Sequence, residues 1–206
     1  MKVFKFGGAS INSAQRFINT ARIIQNHNKE KLLIVISAMG KTTNALEAVV
    51  KSYFEGRKDE AIQLFTQLRQ QHLDLSKYLH VTRWQQSENQ LKEFFTEVEW
   101  LLHDKPVRNF DYYYDQIVCS GELMSSSLLF HLLADKGMKA AWVDVRDVIR
   151  TDDNFRDAGI DWAITSAKAR ETILPLLEEN DIVITQDLRA GSARAHLMVC
   201  LIAQCV

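Results

Sequence analysis

Two short apolar runs, residues 3–6 and 32–36, bracket a segment in which Ala14, Phe17, Ile18, Ala21 and Ile24 recur at helical spacing. Runs rich in Val, Ile and Phe suit buried strands, and the interval between them has room for a crossover helix. That is a β-α-β unit, whose connection sets its two strands parallel in one sheet. Parallel strands are apolar on both faces, so this opening commits the chain to an α/β architecture with helices covering each side.

The remaining pattern extends the same architecture. Leu46, Val49 and Val50, then Ala61, Leu64, Phe65 and Leu68, then Leu91, Phe94, Phe95, Val98 and Leu102 predict a helical insertion or lid over about residues 42–104. Residues 112–119 and 122–136 predict two helices separated by Ser120-Gly121, and 140–145 predicts a strand with Asp144 at its end. Strand ends of this kind are where α/β sheets place ligands. A helix over 162–178 and a buried strand over 181–185 complete a mostly parallel sheet sandwiched by helices. Only two prolines and eight glycines occur in 206 residues, with no repeat, so nothing marks a linker and one continuous domain is expected.

Composition narrows the function. With 47% hydrophobic and 25% charged residues the chain is an ordinary globular protein. Its 25 Lys plus Arg against 26 Asp plus Glu leave a net charge of -1, which provides no basic field for nucleic acid or an anionic membrane. No stretch approaches the roughly 18 apolar residues of a bilayer crossing, and Met1-Lys2-Val3-Phe4-Lys5 has no signal-peptide core, so a cytoplasmic location is expected. Cys119, Cys200 and Cys205 lack metal-ligand or C-x-x-C spacing, and the six histidines show no H-x-x-x-H or H-E-x-x-H pattern. No metal site is predicted. The tryptophans read as packing, while Tyr112-Tyr113-Tyr114 on a helix cannot all face the core.

Four segments can carry chemistry. Lys5-Phe6-Gly7-Gly8-Ala9-Ser10 runs from a strand through two glycines towards a helix near Ser13. Such a turn lets backbone N–H groups approach a phosphate, with Lys5 adding a positive charge; equally, it is a strand-to-helix turn needing φ > 0. Ser37-Ala38-Met39-Gly40-Lys41-Thr42-Thr43-Asn44 also lies between strand and helix. It is not a Walker A sequence, because Val35 stands where the first glycine belongs. Its hydroxyls suit a carboxylate or phosphate, or Thr42 or Thr43 serves as an N-cap. In Ser120-Gly121-Glu122-Leu123-Met124-Ser125, Glu122 is either a helix-dipole partner or a group that binds a substrate ammonium. The alternating charges from Asp144 to Asp153 read as salt-bridged surface, with Asp144 at a strand end as the exception.

Taken in order, K-F-G-G-A-S at Lys5, V-I-S-A-M-G-K-T-T-N ending at Asn44, S-G-E-L-M-S at Ser120, D-V-R at Asp144, I-R-T at Ile149 and V-I-T-Q ending at Gln186 resemble the aspartate kinases of the amino acid kinase family. The likeness covers about residues 1–186, the N-terminal part of the kinase domain. It implies transfer of the γ-phosphoryl group of ATP, with Mg²⁺, to the β-carboxylate of L-aspartate, the first step towards lysine, threonine and methionine. A carboxylate is already nucleophilic at neutral pH, so such an enzyme supplies positioning and charge stabilisation rather than a general base. By resemblance Lys5 is the catalytic cation, and Lys5, Gly7, Gly8 and Ser10 hold phosphate. Thr43 and Glu122 hold aspartate, with Glu122 on its α-ammonium group. Ala9 replaces the threonine usual in K-F-G-G-T-S, a loss of about 1 kcal/mol if that hydroxyl makes one hydrogen bond.

The resemblance stops after Gln186. The family continues with a glycine-led turn and a G-R-G-G-S-D-like loop of the nucleotide side, whereas this chain reads Asp187-Leu188-Arg189-Ala190-Gly191-Ser192 and ends in an apolar run. Residues 187–206 are therefore expected to be an aberrant, frameshift-like tail, with the ATP-side half and the regulatory domains missing. A truncated, poorly active chain without feedback inhibition is the expectation. Uncovered sheet edge and helix faces point to a homo-oligomer. The alternative is a non-catalytic binding or oligomerisation module derived from an amino acid kinase.

Overall fold

The computed structural model describes residues 1–27 and 29–187. Strand β1 (Lys2–Phe6) leads through a 3-10 turn (Gly8–Ile11) into α1 (Ala14–Asn26) and back to β2 (Leu32–Ile36), the β-α-β unit predicted. Ser13 caps α1, its side-chain oxygen accepting from the Arg16 N–H at 3.4 Å. Phe17, Thr20, Ala21 and Ile24 form the buried stripe of that helix. All five residues of β2 are buried, as a central parallel strand requires.

Helices α2 (Thr42–Phe54), α3 (Lys58–Leu79) and α4 (Trp84–His103) fill the predicted helical insertion. They are a layer of the core and not a lid: Phe65, Leu68, Leu91, Phe94, Phe95 and Val98 pack in one cluster with the sheet and the following helices. Next come α5 (Phe110–Val118) and α6 (Ser120–Asp135), joined by Cys119 alone, whose φ of -62° and ψ of -21° are helical. Ser120 and Gly121 thus open α6 and do not separate two helices. Sterics suit the glycine: a Cβ there would lie 3.1 Å from the Cβ of Ala38 and 3.1 Å from Cγ2 of Thr42, so a side chain would require the loop after β2 and the start of α2 to give way by a few tenths of an ångström.

The stretch Phe110–Asp135 is long and apolar enough to cross a bilayer, contrary to the sequence expectation, yet 83% of its most apolar window is buried inside the protein. A core helix passes the same test of length and composition. Tyr113 is buried, with Tyr112 and Tyr114 half-buried on either side of it.

Strand β3 (Ala140–Trp142) is shorter than predicted, because the chain turns at Asp144 into a second 3-10 turn (Val145–Asp147). Helix α7 (Trp162–Glu179) and strand β4 (Ile182–Gln186) are the next elements among the described residues. Among the described residues the strands of the sheet pair in parallel, in the order β1-β2-β4-β3. Alternate residues of the strands face opposite layers: Leu32, Ile34, Ile36, Ile182 and Ile184 join the large cluster with α1 to α6. Leu33 and Val183 pack with Ala169, Ile173 and Leu177 of α7 and with Val145, Val148 and Ile149. The sheet is therefore sandwiched, and its C-terminal strand ends converge on one rim.

Candidate functional site

Three strand ends meet at this rim. Lys5 is near the end of β1, Ser37 follows β2 and Asp187 follows β4, with Lys5, Val35 and Thr185 in register across the sheet. The Lys5 ammonium lies 2.8 Å from Oδ2 of Asp187, and the Ser37 hydroxyl donates to the same oxygen at 2.9 Å. The Asp187 N–H donates to the Ile36 carbonyl at 2.8 Å, continuing the ladder one step past β4. The Asp187 side chain is 4% exposed and that of Lys5 26%, so this pair is screened far less than a surface salt bridge.

The glycine turn beside Lys5 is shaped by close approach. Gly7 and Gly8 both lie outside the positive-φ glycines, Gly40, Gly56 and Gly137, so the reading of a φ > 0 turn is not met there. Gly8 is needed because a Cβ on it would sit 2.5 Å from the Ala38 carbonyl oxygen. Its own carbonyl accepts from the Gly40 N–H at 3.1 Å, clamping the first turn to the second. Gly40, at φ +52°, is the left-handed residue of the pair of loops. Over Gly7 the space is open. Ser10 is exposed, and its N–H already donates to the Gly7 carbonyl at 2.8 Å. Lys41 precedes α2 without a side-chain cap, so neither Thr42 nor Thr43 is the N-cap; both are buried in its first turn.

A cavity of about 330 Å³ opens next to Asp187, within the range of small-molecule sites. Its wall includes Cys119 and Glu122 from the α5–α6 junction, Arg146, Arg150 and Asp152 from the segment after β3, and Asp187. Glu122, in the first turn of α6, is 3% exposed. Of the predicted site residues, Glu122 lines the cavity directly and Lys5 reaches it through Asp187. Gly7, Gly8, Ser10 and Thr43 lie outside its lining.

Asp144 is not a free carboxylate at a strand end. It caps the 3-10 turn by accepting from the Arg146 N–H at 2.9 Å, and its Oδ2 accepts from the Arg146 guanidinium at 2.7 Å. The Arg146 guanidinium also donates to Glu97 of α4 at 2.8 Å. Burial works against the Arg146 charge, but Glu97 and Asp144 outweigh it and raise its pKa above that of a free arginine. Burial pushes the Cys119 thiol up to about 12 despite nearby Arg146.

Arg146, Arg150, Cys119 and Asp187 are wall residues that single-sequence reasoning did not place there. Arg146 and Arg150 lie inside a run that reads as surface charge, and Asp187 lies just past the V-I-T-Q segment where the family resemblance is read to end. The expectation for residues 188–206 lies outside the described residues. Among the described residues no group of three His, Cys, Asp or Glu side chains is placed to hold a metal ion.

The cavity lining carries both signs of charge, with carboxylates from Asp115, Glu122, Asp152, Asp153 and Asp187 in excess over the guanidinium residues Arg146 and Arg150, a setting for a ligand that brings an ammonium group. Residues 1–203 match the profile of the amino acid kinase family. The chain belongs to the amino acid kinase family. Within it, this chain is 29% identical over 184 residues to the lysine-sensitive aspartokinase 3 of Escherichia coli (strain K12), covering 89% of this chain and 39% of that protein. It is 31% identical over 195 residues to the chloroplastic aspartokinase 3 of Arabidopsis thaliana, covering 92% of this chain and 34% of that one. The crystal structure of E. coli aspartokinase III with aspartate and ADP superposes with a TM-score of 0.83 at 25% identity, covering 98% of this chain and 46% of that chain. The same enzyme with lysine and aspartate gives 0.85 at 24% identity over 98% and 46%, a likeness of fold. This member of the family thus spans less than half the length of the relatives it matches.

A phosphate group at Lys5 does not fit the site as it stands. The ammonium is already engaged by a buried carboxylate, and an incoming anion would meet the charge of Asp187.

Proposed function

We propose that this chain is the substrate-binding part of an aspartate kinase and holds L-aspartate in the cavity beside Asp187. The observation that carries the reading is Glu122, a buried carboxylate that lines the same cavity as Arg150 and as Arg146, whose guanidinium is held there by Asp144 and Glu97. A carboxylate facing an α-ammonium group and an arginine such as Arg150 facing a carboxylate make charge-assisted hydrogen bonds to opposite ends of a dicarboxylic amino acid. The likeness to aspartokinases, one of them solved with aspartate and ADP, supports the choice of amino acid. On this reading the reaction served is transfer of the ATP γ-phosphoryl group, with Mg²⁺, to the substrate β-carboxylate, and for this chain the proposed place is the cytoplasm. Positioning of that carboxylate is what these residues contribute to it.

A second reading, a non-catalytic binding or oligomerisation module, is favoured by the Lys5–Asp187 pair, which engages the cation expected to face phosphate. Calorimetric titration with L-aspartate and, separately, Mg·ATP decides between them, with Glu122→Ala as control. Aspartate binding that is lost in Glu122→Ala supports the first reading. A folded chain that binds neither ligand supports the second.

A further inference from the structure

We infer that Asp187 is a specificity-determining residue that withholds Lys5 from phosphate at the rim of the site. The inference rests on the proposed function only in taking Lys5 as the cation that would face a phosphoryl group.

Three contacts build the device. Lys5 and Ser37 converge on one carboxylate oxygen, Oδ2, at 2.8 and 2.9 Å. The backbone of Asp187 is pinned by its N–H bond to Ile36, so the side chain leaves the sheet from a fixed point. The second oxygen, Oδ1, is buried and has no hydrogen-bond partner among the described residues. A carboxylate oxygen of this kind, on a residue that lines the cavity, repels an anion and accepts from a donor. For phosphate to reach Lys5 it must displace a buried carboxylate that already has its cation and a hydroxyl donor, while its own charge is repelled by that carboxylate. Removing one partner of such a pair leaves the other uncompensated, so exchange is unfavourable unless the incoming group replaces every contact. Ligands with an ammonium or N–H group meet no such barrier.

The test is calorimetric binding of inorganic pyrophosphate to the full 206-residue chain, to Asp187→Asn, to Ser37→Ala and to the Lys5→Ala/Asp187→Asn double variant, each checked for native circular dichroism. Asparagine keeps the shape and the acceptor for Ser37 while removing the charge. Pyrophosphate should bind Asp187→Asn at least about tenfold tighter than the parent chain, a free-energy change within reach of one unpaired charge. Ser37→Ala should show a smaller gain, and the double variant none. Should Asp187→Asn fail to fold, Ser37→Ala, which removes one hydrogen bond, carries the test against the parent chain. Equal pyrophosphate affinity in the parent and the folded variants overturns the inference, as does a gain that survives loss of Lys5. L-Aspartate titrated into the same samples separates the two ideas. Aspartate binding without a pyrophosphate gain defeats the role of Asp187 and leaves the proposed function standing, whereas the gain without aspartate binding does the reverse.

Discussion

Gly8 passes so close to Ala38 that a Cβ on the glycine would lie 2.5 Å from the alanine carbonyl oxygen. The loops after β1 and β2 are packed backbone against backbone, and the Gly40 N–H bond to the Gly8 carbonyl holds them there. Gly8→Ala should therefore destabilise the fold by about 1–3 kcal/mol through overpacking, because a carbonyl cannot swing away as a side chain can. Gly7→Ala, where the added methyl meets open space, should stay within about 0.5 kcal/mol. Urea denaturation of the two variants measures the difference, and equal losses would show that the loops can separate freely.

His80 and His131 should make the fold acid-labile. Their rings lie 6.0 Å apart between centroids, and Nε2 of His131 is 2.8 Å from Oε1 of Gln90. Burial lowers both to about 4; Arg83 adds to the effect and Asp135 opposes it. An unfolded histidine titrates near about 6.5, so between about 6.5 and 4 the unfolded chain binds more protons and stability falls as pH falls. Below the folded value the loss from this pair is complete. Allowing for solvent screening and coupling, the two together should remove roughly 3 kcal/mol across that window. A His80→Leu/His131→Gln double variant should flatten the slope of melting temperature against pH, and an unchanged slope would assign acid lability to other groups.

Gln186 stitches β4 to the segment that lines the cavity. Its Oε1 accepts from the Val145 N–H at 2.7 Å and its Nε2 donates to Oγ of Ser126 at 3.1 Å. Ser126 also receives the Trp142 indole N–H at 3.0 Å. Gln186→Leu should cost about 1–3 kcal/mol by leaving the Val145 N–H unsatisfied, and should loosen the Arg146 turn. Denaturation together with hydrogen exchange at Val145 would show both effects; full protection at Val145 would contradict the second.

Cys119 should be a sluggish nucleophile despite lining the cavity. With its thiol pushed up to about 12 by burial, the thiolate fraction at pH 8 is small. Peptide mapping after iodoacetamide treatment should show modification at Cys119 at least about a hundredfold slower than in the urea-unfolded chain. Comparable rates would place the thiol in free solvent.

How much of this was legible in advance depended on the range of the interactions. Helix and strand periodicity located α1, β2, α7 and β4 to within a residue or two, because each buries a stripe written in its own sequence. The break at Ser120-Gly121 was misjudged because that glycine answers to Ala38 and Thr42 across the fold and not to its own helix. Asp144 was misjudged for a similar reason: the end of β3 is set by the turn that Asp144 caps, and Arg146 lies within reach only once that turn forms. Glu122 is legible only through the S-G-E-L-M-S resemblance, since a carboxylate in the first turn of a helix reads by itself as a dipole partner; the structure puts it in the cavity lining.

The sequence by itself determined the alternation of parallel strands and covering helices, the family, and Lys5 and Glu122 as candidate groups, since these follow from local periodicity and short motifs. Only the tertiary structure decided that Lys5 faces Asp187, that Arg146 and Arg150 share a cavity with Glu122, and that Gly8 answers to Ala38. Charge pairing and close packing act over a few ångströms in space, and the parallel sheet brings together strand ends that lie far apart along the chain.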